Sequence, residues 1–146
     1  MILHAGLVTL YDRTGWRGVL IEGPSGAGKS DLALRCLALG FRLVSDDRTL
    51  VFTSGGKLFG ACPEPLRGLL EARGLGLIAP PALRRVSEVS LIVSAQPEGG
   101  AIERMPDPPE RRALLGVWLP VMRLQPLEAS APLKLLAALS QLGATP

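Results

Sequence analysis

Gly23-Pro24-Ser25-Gly26-Ala27-Gly28-Lys29-Ser30 match G-x-x-x-x-G-K-[ST] at every defined position. Three glycines let the backbone turn so that successive N–H groups face one point, a concavity suited to phosphate oxygens. A helix opening at Lys29 adds the positive end of its dipole. Lys29 then reaches the β- and γ-phosphates of a nucleotide, and the Ser30 hydroxyl can ligate Mg²⁺. Phosphate binding alone performs no reaction. A metal-holding carboxylate and a proton acceptor are also needed, and Asp46-Asp47 offers both on adjacent residues. The residues themselves leave open which aspartate faces metal and which faces an attacking hydroxyl.

Other candidates are weaker when taken singly. Glu71 and Arg73 lie two residues apart and project to one side of an extended segment. Both can face a metal–phosphate site, although on position alone a solvated surface pair is the better reading. His4 is the one histidine, and a lone histidine in a strand is ordinarily a half-buried polar residue. Arg104 sits in a proline-rich loop, from which a guanidinium can stabilise a transferring phosphoryl group.

Positioning elements surround these residues. Ile2–Tyr11 and Trp16–Ile21 read as strands around the turn Asp12-Arg13-Thr14-Gly15, a hairpin delivering the chain to Gly23. Lys29–Leu39 carries apolar residues at 32, 33, 34, 36, 37 and 39 and stops at Gly40, as a largely buried helix does. Phe41–Ser45 is a strand running into Asp46-Asp47. Leu50–Thr53 and Lys57–Ala61 flank Ser54-Gly55-Gly56 as a second hairpin. Pro63 and Pro65 open a short helical stretch toward Leu70, and residues 71–78 read as a loop entering a strand. Val86–Ala95 is the clearest strand, 96–112 is a loop, Val117–Leu124 is a strand, and Pro132–Leu142 is an amphipathic helix.

Composition sets the bounds. The 146 residues suit one domain, and an apolar share of 47% supports one core. A net charge of +3 is too small to argue nucleic-acid binding. No apolar run reaches the length of a membrane span. Cys36 and Cys62 fit no metal or disulfide spacing, so free thiols in a reducing cytoplasm are expected.

These pieces occur together in an order that resembles the HPr kinase/phosphorylase family. GVLIEGPSGAGKSDLALRCLALGFRLVSDD is similar to that family's phosphate-loop segment, and LLEARGLGLI to its second signature. His4–Tyr11 resembles the strand carrying its catalytic histidine. The resemblance implies ATP and Mg²⁺ at Gly23–Ser30, with Lys29 on phosphate and Ser30 and Glu71 on the metal. It implies Asp47, with Asp46 beside it, as proton acceptor from a protein serine, and His4 and Arg104 in support of catalysis. Arg73 or Arg104 would offset charge on the transferring group. The implied acceptor is HPr, the carrier of the bacterial sugar phosphotransferase system, or a paralogue of it, and inorganic phosphate would reverse the transfer. A cytoplasmic homohexamer follows by the same resemblance, with no nucleic acid and no membrane as partner.

The sequence departs from the family pattern at three points. Residues 1–146 correspond to the catalytic domain only, so the usual N-terminal domain is expected to be absent. Asp31 stands where glutamate is typical. The family's glycine-arginine-asparagine segment has no counterpart after residue 105, which leaves the phosphorolytic half open. Two other readings of the motifs stand beside the protein-serine kinase: a P-loop kinase of a small molecule, and a nucleotide-gated regulator without catalysis. The expected fold is α/β, a P-loop domain of the HPr kinase and PEP carboxykinase type. Its mixed β-sheet core surrounds a central phosphate-loop helix.

Overall fold

A computed structural model describes residues 1–144. Eleven strands and two helices are present among them: β1 (Ile2–Leu3), β2 (Ala5–Asp12), β3 (Gly15–Glu22), α1 (Lys29–Leu37), β4 (Arg42–Ser45), β5 (Thr49–Ser54), β6 (Lys57–Ala61), β7 (Leu70–Ala72), β8 (Gly76–Ile78), β9 (Val86–Ala95), β10 (Arg111–Leu114), β11 (Val117–Leu124) and α2 (Ala131–Ala144). The main sheet runs β1-β5-β6-β9-β3-β2-β4, with β11 also pairing β9 and β10 pairing β11. Only β3–β9 and β9–β11 are parallel; the rest of the sheet is antiparallel. The fold is therefore α/β with a mixed sheet, as expected.

The strand next to the phosphate loop owes its position to burial on both faces. In β3, Val19 and Ile21 face one apolar cluster and Leu20 the other. In β9, Leu91 and Val93 share the first cluster and Ile92 the second. Successive side chains of a strand point to opposite faces, so uninterrupted runs such as Val-Leu-Ile suit a sheet covered twice. The first cluster includes Leu32, Ala33 and Cys36 of α1 and Ala131, Leu135 and Leu139 of α2. Both helices thus cover one face, and each fully buried Leu or Ile in that layer contributes about 1.5–3 kcal/mol. Burial pushes the Cys36 thiol up to about 12, which leaves it an inert core group; both cysteines are free and buried.

Four local expectations need correction. Ile2–Tyr11 is two strands, because the chain bends at His4 and β1 leaves to pair with β5. Residues 63–69 form turns in place of a short helix: Leu66 N–H donates to Pro63 O and Leu69 N–H to Leu66 O. Isolated four-residue turns like these do not repay helix nucleation. Residues 71–78, read as a loop entering a strand, belong to a hairpin in which β7 and β8 pair around 73–75. Finally, Arg111–Leu114 extends the loop 96–110 into β10, which folds back on β11 through Leu115-Gly116 with φ of 49° and 81°. Two positive φ values in a two-residue connection match the twist of paired strands.

Candidate functional site

The end of β3 releases the chain into the phosphate loop. Gly23 has φ 147°, and a Cβ there would lie 2.7 Å from Ala95 O and 2.9 Å from Ala95 Cβ. Glycine is thus required by the close approach of β9. Gly26 and Gly28 have φ of 82° and 103°, and Gly28 caps α1, with Leu32 N–H donating to Gly28 O at 2.9 Å. Pro24, Ser25 and Ala27 complete the turn, closed by Ala27 N–H to Pro24 O at 3.2 Å. The Lys29 ammonium donates back to Gly23 O at 2.6 Å and Pro24 O at 3.0 Å. Gly23→Ala is expected to cost about 1–3 kcal/mol of stability through backbone strain and contact with Ala95. It should also loosen the loop, giving a lower melting temperature together with weaker ATP binding by titration calorimetry.

Beside the loop stand the two aspartates, in different surroundings. Asp46 accepts from Ser30 Oγ–H at 2.8 Å through Oδ1 and from the Glu71 backbone N–H at 3.0 Å through Oδ2. Its carboxyl is held above the ordinary value chiefly by burial, with the charges of Asp47 and Glu71 adding to the rise; the two hydrogen bonds oppose it. A carboxyl whose native pKa is raised contributes stability below its unfolded pKa and loses it as pH rises through the native value. The stability of Asp46→Asn relative to wild type should therefore increase as pH rises through the range above about pH 4, the ordinary carboxylate value. Urea midpoints across that range provide the check, and a flat difference would show that burial of the charge carries no penalty.

Asp47 is exposed and conformationally unusual. Arg48 N–H donates to Asp46 O at 2.8 Å across a three-residue turn, with Asp47 at its centre and φ 68°. That is the rarer, strained form of such a turn, a cost that clusters at functional sites. Asp47 Oδ1 meets His4 Nε2 at 2.7 Å, while its other carboxylate oxygen has no hydrogen-bond partner among the described residues. The side chains of His4 and Asp47 are 57% and 58% exposed, so the pair faces solvent and is open to an incoming group. The bend at His4 supplies this contact.

The geometry joins His4, Lys29, Ser30, Asp46, Asp47 and Glu71 around one loop. Arg73 lies at the exposed β7–β8 turn, two residues beyond Glu71, and no hydrogen bond or ion pair among the described residues engages it. Arg104 is elsewhere in contact terms. It lines a cavity of about 1230 Å³ with residues of the 101–110 loop, β10, β11, Glu128 and Lys134, and no phosphate-loop residue borders that cavity.

Sequence reasoning missed a strap across α1. Arg35 pairs with Asp31 at 2.9 Å and donates to the carbonyls of Pro126 and Glu128. Leu127 thereby lies against Gly28, where an added Cβ would meet Leu127 Cδ2 at 2.6 Å. Only the Asp31–Arg35 spacing was visible beforehand.

Among the described residues no group of three or more His, Cys, Asp or Glu side chains is placed to hold a metal. The Ser30 hydroxyl and the Asp46 and Glu71 carboxylates are instead a sparse set of hard oxygen donors. Such a set suits Mg²⁺, which keeps waters and takes the rest of its shell from phosphate oxygens. No helix among the described residues is long and apolar enough to cross a membrane.

Comparison with known proteins identifies the family and the fold. Residues 1–137 match the family model of the HPr serine kinase C-terminal domain. The HPr kinase/phosphorylase of Clostridium tetani is 45% identical over 87 residues, covering 60% of this chain and 27% of that protein. That of Streptococcus salivarius is 36% identical over 131 residues, 84% of this chain and 41% of that protein. The chain thus spans less than half the length of these curated relatives. The solved Hpr(Ser) kinase/phosphatase from Coxiella burnetii superposes with a TM-score of 0.79 at 28% identity, over 98% of this chain and 92% of that one. A phosphate loop ending in Lys29-Ser30, a doubly hydrogen-bonded Asp46 and an exposed His4–Asp47 pair are therefore carried by a chain that belongs to the HPr serine kinase C-terminal domain family.

Proposed function

We propose that the chain transfers the γ-phosphoryl group of ATP to a serine of HPr or an HPr-like carrier protein. The observation that carries this reading is the division of labour between the aspartates. Both Asp46 oxygens are engaged, by Ser30 and by the Glu71 N–H, whereas Asp47 is exposed and has an oxygen to spare. Asp47 is the proton acceptor and Asp46 belongs to the metal side.

The chemistry follows from these placements. The backbone N–H groups of Gly23–Ser30 bind the phosphates, and Lys29 leaves its loop carbonyls to meet the β- and γ-oxygens. Mg²⁺, when bound by Ser30, Asp46 and Glu71, supplies neutralisation of phosphate charge. Asp47 takes the seryl proton as the hydroxyl attacks in line, and His4 holds that carboxylate in position. If phosphorolysis is retained, Asp47 gives a proton to the leaving serine while inorganic phosphate accepts the phosphoryl group, giving pyrophosphate. Arg73 and Arg104 are the guanidinium groups available to offset charge on the transferring group, Arg104 after movement of its loop.

We further read residues 1–146 as one catalytic domain working in the cytoplasm as a homo-oligomer, a hexamer by family resemblance. ADP release measured with and without an HPr-type carrier tests the reading against a small-molecule kinase. Turnover should require the carrier. Turnover on a small-molecule acceptor alone, or ATP binding with no turnover in any mixture, would replace it with one of the other two readings.

A further inference from the structure

The end of the sheet opposite the phosphate loop carries an aromatic and arginine cluster that the catalytic reading does not use. Trp16 is the second residue of β3 and Gly23 follows its last, so the two sites stand on the order of 20 Å apart at the rise of a strand. The guanidinium carbons of Arg84 and Arg42 lie 4.2 Å and 5.3 Å from the Trp16 ring centroid. Tyr11, 65% exposed, packs edge-on against the same indole with centroids 5.2 Å apart. Backbone pairing creates the convergence: Leu43 bridges Leu83, and Arg84 N–H donates to Leu43 O at 2.9 Å, which sets Arg42 and Arg84 beside one another.

Stacking occupies the faces of the guanidinium groups and leaves their N–H edges free. The Arg42 guanidinium makes no hydrogen bond or ion pair among the described residues, and that of Arg84 uses only Nε, toward Val86 O at 3.1 Å. Arg13 and Arg85, exposed in the adjoining turn and strand entry, are likewise unpaired among the described residues. Asp12, the carboxylate of the β2–β3 turn, is already taken by Thr14 and Arg17. These four arginines supply more than the whole of the +3 net charge, and without them the chain would stand at −1.

We propose that the Trp16-centred arginine cluster is a docking surface for an acidic segment of a partner protein. Pre-stacked guanidinium forks present paired donors that match carboxylates two at a time. Arg42 and Arg84 converge on one indole at one sheet end, a patch suited to a short acidic segment, whereas a nucleic-acid backbone is tracked by an extended basic stripe.

The test uses the full chain with Trp118→Phe, so that Trp16 is the sole tryptophan. A short oligo-glutamate peptide should change its fluorescence saturably, and the affinity should fall with added salt. Arg42→Ala/Arg84→Ala, confirmed folded by its thermal melt, should bind at least about tenfold more weakly. Arg42→Lys/Arg84→Lys, which keeps the charge and loses the forks, should also weaken binding. Unchanged affinity in the lysine variant would overturn the fork-specific surface. Tighter binding of a single-stranded oligonucleotide of equal charge would overturn the assignment to protein, and no saturable change would overturn the site.

Discussion

Lys29→Ala should reduce phosphoryl transfer at least about a thousandfold, because it removes the one ammonium placed to meet charge on the β- and γ-phosphates. The effect on folding should be small by comparison. The Lys29 ammonium donates to the part-buried Gly23 O and to Pro24 O at the exposed loop, and carbonyls at this surface can turn to water once it is gone. The variant should therefore melt within a few degrees of wild type while ATP affinity and turnover both collapse. Melting temperature, ATP titration and single-turnover transfer on the same preparation separate these effects. Retained transfer would mean that the phosphates sit elsewhere. The cavity bordered by Arg104 would then become the place to look.

Asp47→Asn should have the second largest effect, a loss of about 10²- to 10⁴-fold in transfer with ATP binding kept. Asparagine is among the residues that tolerate positive φ, so the turn with φ 68° can persist. Its amide can still hydrogen-bond His4, but it cannot accept a seryl proton. No hydrogen bond joins Asp47 to the phosphate loop among the described residues, so nucleotide affinity should move little. Asp46→Asn should behave differently. It disturbs the acceptor shared by Ser30 and Glu71, and its deficit should appear in the Mg²⁺ dependence of activity. A single-turnover assay at saturating ATP across a magnesium series distinguishes the two. Near-normal transfer in Asp47→Asn, together with a dead Asp46→Asn, would exchange the roles assigned here.

How much of this was legible beforehand depended on how local the determining physics is. The loop conformation of residues 23–30 was visible, since its glycines set the backbone and its lysine and serine side chains follow within eight consecutive residues. Helix α1 and strand β9 were visible through apolar periodicity. The β7–β8 hairpin was missed although Gly74 and Gly76, with φ of 91° and 97°, were the available signal; the three-residue connection between short strands hid the pairing. β10 was missed because prolines 106, 108 and 109 made the whole stretch read as loop, whereas its stability comes from pairing with β11. At the site, Asp46 and Asp47 were found as a pair, but their different surroundings depend on Ser30, Glu71 and His4, which lie 16, 25 and 43 residues away. The strap holding Leu127 against Gly28 is likewise a product of tertiary packing, and only the Asp31–Arg35 pair announced it.

The most direct test of the central claim is transfer itself. Purified protein is incubated with Mg²⁺, γ-labelled ATP and HPr-type carriers from the same source, with Lys29→Ala as control. The account predicts label on one serine of one carrier, absent with Lys29→Ala and removed again by inorganic phosphate if phosphorolysis is retained. Measurable ATP binding with no label on any carrier would contradict it, and the site would then be that of a small-molecule kinase or of a nucleotide-gated regulator.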